Sequence, residues 1–278
     1  MANEALTREL KGKALQLRRN ILEMIGIGNA GHWGGSSSLA ELMAVLYFHS
    51  MKVDKNNPKS PERDRLLLSK GHAALIQYAA LCELGYFPRS ELQRVKTLDG
   101  LLQGHPDLSV PGIEAVTGSL GQGLSLGVGM ALALRLDKKP NRVFVVMGDG
   151  EQSEGQLWEA AMAASNFKVD NLTAFIDWNK IQATGRTEDI FSIPQLDQKW
   201  RAFGWEVIST DGHDVDKIVA AIDQARTVKG KPTLVILDTI KGKCLSFAEN
   251  TAAYHNGSFD KEKYAQAVAE LDAQKEAI

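Results

Sequence analysis

The stretch RVFVVMGDG, residues 142–150, carries the strongest signal of fold class. After Arg142 it forms an apolar run, 143–147, that is too short for a buried helix and does not alternate with polar residues, as expected of a strand buried on both faces. It ends abruptly in Gly148-Asp149-Gly150. A second run, LTAFID at 172–177, repeats the pattern, and a helical stretch at 156–167 lies between them. On either side, RLLLS (65–69), WEVIS (205–209) and TLVIL (233–237) read as further strands, with helices expected over 4–25, 73–84, 120–136 and 215–228. Strands alternating with helices predict an α/β fold, a doubly wound, mostly parallel sheet with helices on both faces. Residues 1–278 are expected to form one domain, with a tail from about residue 240 that wraps the surface or meets a partner. Ser38 and Glu41 have the spacing of a capping box, which predicts a helix opening over 39–48 after the glycine-rich break at 26–38.

The ends of the two central strands carry the chemistry. In an open parallel sheet, ligands gather beyond the carboxyl ends of the strands. Asp149 follows one strand and Asn179 the next, and the gap between them suits one strand–helix–strand crossover. Both oxygen-bearing side chains can therefore meet at one rim. Mg²⁺ prefers oxygen ligands, few of them from protein and the rest from phosphate and water. Gly148 and Gly150 allow close backbone approach to a diphosphate, and a helix beginning near residue 155 adds the favourable end of its dipole. GDG alone is more often merely a strand-ending turn, and Asn179 alone a loop residue. A matching Asn at the next strand end makes it a candidate site.

Of six histidines, His32, His72, His105 and His213 each follow a glycine, which leaves the ring free to reach into a cleft. A neutral imidazole can donate and accept hydrogen bonds at sugar hydroxyls or phosphate. His49 falls in an apolar helix and is expected to pack there. The segment TGSLGQG (117–123) precedes a helix and has the small residues of a backbone cradle for a ligand. Residues 26–31 match GxGxxG literally. A helix precedes them and no acid lies near 46–51, so a dinucleotide site is not expected.

Composition bounds the function. Apolar residues make up 44%, charged residues 24%, and the net charge is −2. No basic excess suggests nucleic acid, and no stretch of about 18 apolar residues suggests a membrane span. The N-terminus is charged and lacks a secretory apolar core. Cys82 and Cys244 stand alone, which fits two free thiols in a reducing cytoplasm.

Taken in order, AGHWGGSSSLAE, RDRLLLSKGHA, QGHPD, TGSLGQGLSLGVGMA, GDGEQSEGQLWEAA and IDWNKIQATG resemble the N-terminal, diphosphate-binding part of transketolases over about residues 10–260. The resemblance implies thiamine diphosphate and Mg²⁺, with Ca²⁺ or Mn²⁺ also acceptable to such oxygen ligands. It assigns the metal to Asp149, Asn179 and the main-chain carbonyl of Ile181. It assigns the cofactor to His72, Gly118, Ser119, Leu120 and Gly150. His32 and His105 would face substrate hydroxyls, and His255 would lie near both diphosphate and substrate. Glu154 would lie at a subunit interface. The family's proline after the first Gly-His is here Trp33, which implies an indole at the entrance that redirects the channel, as for a modified or sulfonated sugar. A full transketolase is more than twice this length. The resemblance therefore implies a split enzyme, in which a partner chain carries the pyrimidine-binding domain, assembled as an α2β2 heterotetramer acting on a sugar or sugar phosphate. Two alternatives stay open: a subunit of another thiamine-diphosphate enzyme, of the 2-oxo-acid dehydrogenase type, and a catalytically silent interaction subunit.

Overall fold

The computed structural model describes residues 4–276. The two ends of the expected 1–278 domain, residues 1–3 and 277–278, lie outside the described residues. In chain order the elements are α1 (Glu4–Ile25), β1 (Ala30–Gly31), α2 (Trp33–Ser37), α3 (Ala40–Val45), β2 (Arg65–Leu68), α4 (Ala74–Leu84), α5 (Gln122–Leu136), β3 (Val143–Gly148), α6 (Gly155–Asn166), β4 (Leu172–Trp178), α7 (Thr187–Ile190), α8 (Leu196–Ala202), β5 (Glu206–Asp211), α9 (Val215–Thr227), β6 (Thr233–Asp238), β7 (Gly257–Ser258) and α10 (Lys261–Glu276).

Five strands form one parallel sheet in the order β2-β3-β4-β6-β5. Residues along β3 and β4 alternate between two cores, as the two-residue period of a strand requires. Phe144, Val146 and Phe175 face the core shared with α1, α3, α4, α9 and α10. Val143, Val145, Met147, Ala174 and Ile176 face the core shared with α5, α6 and α8. The chain steps outward through β2, β3 and β4, skips to the edge at β5, and returns to β6. Crossovers keep one hand, so this reversal places α9 on the face opposite α8. The glycines of α5 let it lie close on the sheet: a Cβ at Gly127 would sit 2.4 Å from Val145 Cγ2.

The N-terminal half departs from expectation in three places. Ser38 does not cap a helix. Its hydroxyl donates to Asp177 Oδ2 at 2.6 Å, and Glu41 instead receives both outer nitrogens of Arg18, at 2.6 and 2.7 Å. Burial alone would raise the Glu41 carboxyl, but Arg18 and then His213 bring it down to about 2. The glycine-rich break holds α2, and the helix expected over 39–48 is split into α3 and a π-helical turn, Leu46–Ser50. That turn swings His49 out to solvent rather than into packing.

Beyond residue 240 the chain crosses back over the first layer. β7 pairs antiparallel with β1, and α10 buries Ala267 and Leu271 in the core that α1 lines. Arg19 pairs with Asp272 across those helices. Cys82 and Cys244 are both free. No helix of the described residues is long and apolar enough to cross a membrane.

Candidate active site

The ends of β3 and β4 lie within one residue of each other, Gly148 pairing with Asp177, and β2 ends two residues short of β3, Leu68 pairing with Val146. Three turns therefore leave the sheet side by side. Asp149 heads the turn after β3. It is buried, its Oδ1 accepts from Gly150 N at 2.7 Å, and its Oδ2 accepts from Lys180 N, tying this turn to the one after β4. Asn179 Oδ1 accepts from Ile181 N at 3.2 Å. The Ile181 carbonyl accepts from Lys241 Nζ at 2.8 Å. Burial first, then the Asp177 carboxylate, push the Asp149 carboxyl up to about 6. A cation at this point would offset both effects.

These groups line a cavity of about 230 Å³ together with His72, Leu120, Gly150, Glu154 and His255. His32, His72 and His255 form a cluster, with ring centroids 4.9 to 5.5 Å apart. Burial, then the neighbouring ammonium groups, holds all three neutral: His72 falls to about 2 beside Lys70, His255 to about 3 beside Lys241, and His32 to about 4 beside Lys96. Lys241 Nζ lies 3.0 Å from His255 Nδ1. An ammonium can only donate, so the His255 proton sits on Nε2. Burial and Lys70 lower the Lys241 ammonium to about 8.

The other expected residues sit around this centre. His105 is exposed and lies against the 118–120 segment, where a Cβ on Gly118 would be 2.7 Å from its ring. Leu120 lines the cavity and Ser119 is exposed. Glu154 is exposed on the rim.

Two expectations fail. His213 does not reach the cleft. Its Nε2 accepts from Ile240 N at 2.8 Å, so its Nδ1 carries the proton and lies 3.0 Å from Glu41 Oε2. Trp33 does not line a channel. It is fully buried, donates Nε1 to the Gly242 carbonyl at 3.2 Å and meets Phe259 edge-on at 6.0 Å. The ring is held inward by Phe259, the residue after β7, and by the Gly242 carbonyl.

Four charged side chains not singled out from sequence complete the site. Lys70 and Lys241 line the cavity, Asp177 lies beneath it as the buried partner of Lys70, and Glu151 forms its wall. A signal for the lysines was present: each precedes a glycine just past a strand end, Lys70-Gly71 after β2 and Lys241-Gly242 after β6.

Buried Asp149, Asn179 and Ile181, two buried lysines and a neutral histidine cluster thus meet at the carboxyl edge of a parallel sheet, where folds of this class take their ligands. The chain belongs to the transketolase family: the profile of its thiamine diphosphate binding domain matches residues 13–276. It is 49% identical to the 6-deoxy-6-sulfo-D-fructose transketolase subunit SqwG of Clostridium sp. (strain MSTE9), covering 95% of this chain and 96% of that one. It is 40% identical to an apulose-4-phosphate transketolase subunit of Phocaeicola vulgatus, covering 94% and 93%. The Pichia stipitis transketolase solved with sedoheptulose-7-phosphate superposes with a TM-score of 0.90 at 31% identity, over 95% of this chain and 41% of that one. The chain thus spans nearly all of the named subunits, but less than half of that full transketolase.

Proposed function

We propose that this chain, as one domain, is the N-terminal subunit of a two-chain transketolase, which moves a two-carbon ketol unit from a ketose to an aldose. The reading rests on one observation: Asp149, Asn179 and the Ile181 carbonyl meet two buried lysines at one cavity. Among the described residues no group of three or more His, Cys, Asp or Glu side chains could hold a metal ion. One carboxylate, one amide oxygen and one carbonyl are few but hard donors, suited to Mg²⁺ whose remaining positions are filled by phosphate and water. A carbonyl has two lone pairs, so Ile181 can keep Lys241 and still face a cation. The cradle fits as well. A Cβ on Gly35 would come within 3.3 Å of Lys70 Nζ, and one on Gly150 within 3.0 Å of Gln182.

Bound thiamine diphosphate would supply the carbanion-stabilising chemistry. Its diphosphate would be held by His72, Gly150, the Gly118–Leu120 backbone and the two lysines. His32, His105 and His255 are assigned to the sugar hydroxyls; a neutral ring can donate through one nitrogen and accept through the other, but His255, whose Nδ1 is held by Lys241, is left to donate through Nε2. Glu154 is assigned to the subunit contact. In this reading a partner chain supplies the pyrimidine-binding half, in an α2β2 assembly, which the naming of two relatives as transketolase subunits supports. The named relatives act on ketoses with a sulfonate or a phosphate, which supports a ketose donor with an anionic end.

The test is native mass spectrometry of the tagged chain from its own cells, followed by two-carbon transfer assays with phosphorylated, sulfonated and neutral ketoses. A co-purifying chain with thiamine diphosphate, and transfer from an anionic ketose, is the expected result. A lone chain that takes up no cofactor after addition of Mg²⁺ and thiamine diphosphate would overturn the reading.

A further inference from the structure

We propose that Glu151 is a positioning residue that locks the Asp149 turn to the Gly118–Leu120 segment and thereby sets the affinity for the cofactor diphosphate. This role rests on the function proposed above.

The first N–H groups of a helix need partners from outside it, and the entry of α5 has none of its own. Gly121 stands at the cap position with φ +82° and no side chain to offer. A local cap is sterically blocked, because a Cβ at Gly121 would lie 2.9 Å from Glu154 Cβ. The partners come instead from two strand ends. Glu151 is carried inward by the 3₁₀ turn Gly150–Ser153 and is buried. Its Oε1 accepts from Gly121 N at 2.8 Å and from the Ser69 hydroxyl, and its Oε2 accepts from Gly148 N at 3.0 Å. Ser69 Oγ in turn accepts from Gly123 N at 3.1 Å.

One carboxylate therefore spans the base of the turn that carries Asp149 and the N-terminus of the helix that follows the cradle. Burying a carboxylate is costly unless its lone pairs are filled, and here they are filled by groups from three separate segments. A capping role alone needs only the contact to Gly121. The second oxygen, on Gly148, couples the cap to the turn. A binding constellation must be held to about 0.5 Å by such supports.

Glutamine is the discriminating substitution. It keeps the shape, but presents an NH₂ group to one of two N–H donors that face opposite oxygens. The experiment uses the complex isolated through a tag on this chain and stripped of cofactor. In Glu151→Gln, KM for thiamine diphosphate at saturating Mg²⁺ should rise roughly ten- to a hundredfold, as for other supports behind a bound metal. In the same variant kcat at saturating cofactor should fall far less, and the Gly121 and Gly123 amides should exchange faster with solvent. If the variant does not fold, Ser69→Ala, which removes one arm of the same network, should raise the cofactor KM and speed the same amides. A wild-type cofactor KM in a folded variant, from a complex whose parent binds thiamine diphosphate, overturns the positioning role alone. A parent complex that binds no thiamine diphosphate overturns the role and the proposed function together.

Discussion

Asn179 donates its side-chain amide to Asp177 Oδ2 at 2.9 Å, which leaves Asn179 Oδ1 as the oxygen available at the cavity. Asp177 is fully buried and also receives Ser38, Lys70 and Thr239. One carboxylate thus gathers groups from the end of α2, from the turn after β2 and from the residue after β6. Burial works against its charge, yet Lys70 and the hydroxyl donors hold its carboxyl below the ordinary value. Asp177→Ala would leave the Lys70 ammonium buried without a counter-charge, a loss of about 3–5 kcal/mol. Urea unfolding of the variant measures it, and adding Lys70→Met should recover part of the loss. Full additivity of the two changes would show that the ion pair contributes nothing beyond its parts.

The sheet and the rim were legible in the sequence for a physical reason. Strands buried on both faces write themselves as uninterrupted apolar runs, and the polar residues at their ends have few places to go. Asp149 and Asn179 were readable as a pair on those grounds. Asp177 and Glu151 were not, because a buried carboxylate is recognisable only through its partners, and these come from sequence positions as distant as Ser38, Gly121 and Thr239. Ser38 and Glu41 misled in the same way: the capping-box spacing was present, but Asp177 and Arg18 compete successfully for those side chains. His213 resembled the other Gly-His pairs locally and was diverted by Glu41, 172 positions away in the chain.

The histidine cluster predicts how stability changes with pH. His32, His72 and His255 lie at about 4, 2 and 3 when folded, against about 6.5 in an unfolded chain. Below pH 6.5 the unfolded chain takes up protons that the folded chain refuses, so stability is complete above that value and falls on acidification toward pH 4. Asp149, pushed up to about 6, acts in the opposite direction below pH 6, but it is one group against three. The cofactor-free chain should therefore show a urea midpoint that drops from pH 7.5 to pH 5, and His72→Gln should flatten the slope. A midpoint that holds or rises over this range would mean that the rings are charged in the folded state.

Asp149 gives a direct test of the oxygen-ligand assignment. In Asp149→Asn one oxygen remains, but the negative charge does not, and the buried site loses its principal attraction for a divalent cation. The fold should persist, because the charge that burial penalises is removed, although the new amide turns its NH₂ toward one of the two backbone N–H donors, Gly150 or Lys180. Titration with Mg²⁺ in the presence of thiamine diphosphate should show binding weakened by more than about tenfold, while the loss of one acceptor lowers the unfolding free energy by no more than about 1–3 kcal/mol. Unchanged metal dependence would remove Asp149 from the ligand set.

Trp33 separates a structural departure from a functional one. Its position after the first Gly-His suggested a role in choosing the sugar, but the indole is enclosed between Phe259 and the Gly242 carbonyl. Gly242 N also donates to Gly34 O, so the tryptophan reinforces a backbone contact between α2 and the segment carrying Lys241. Trp33→Phe keeps much of the apolar volume but leaves the Gly242 carbonyl without its indole donor, at a cost of about 1–3 kcal/mol. Trp33→Ala also opens a cavity in the core and should cost about 3–5 kcal/mol. Because the ring touches no part of the cavity, the ratio of kcat/KM between phosphorylated and sulfonated ketoses should stay the same in Trp33→Phe while the unfolding midpoint falls. A changed ratio at an unchanged midpoint would return Trp33 to the substrate channel.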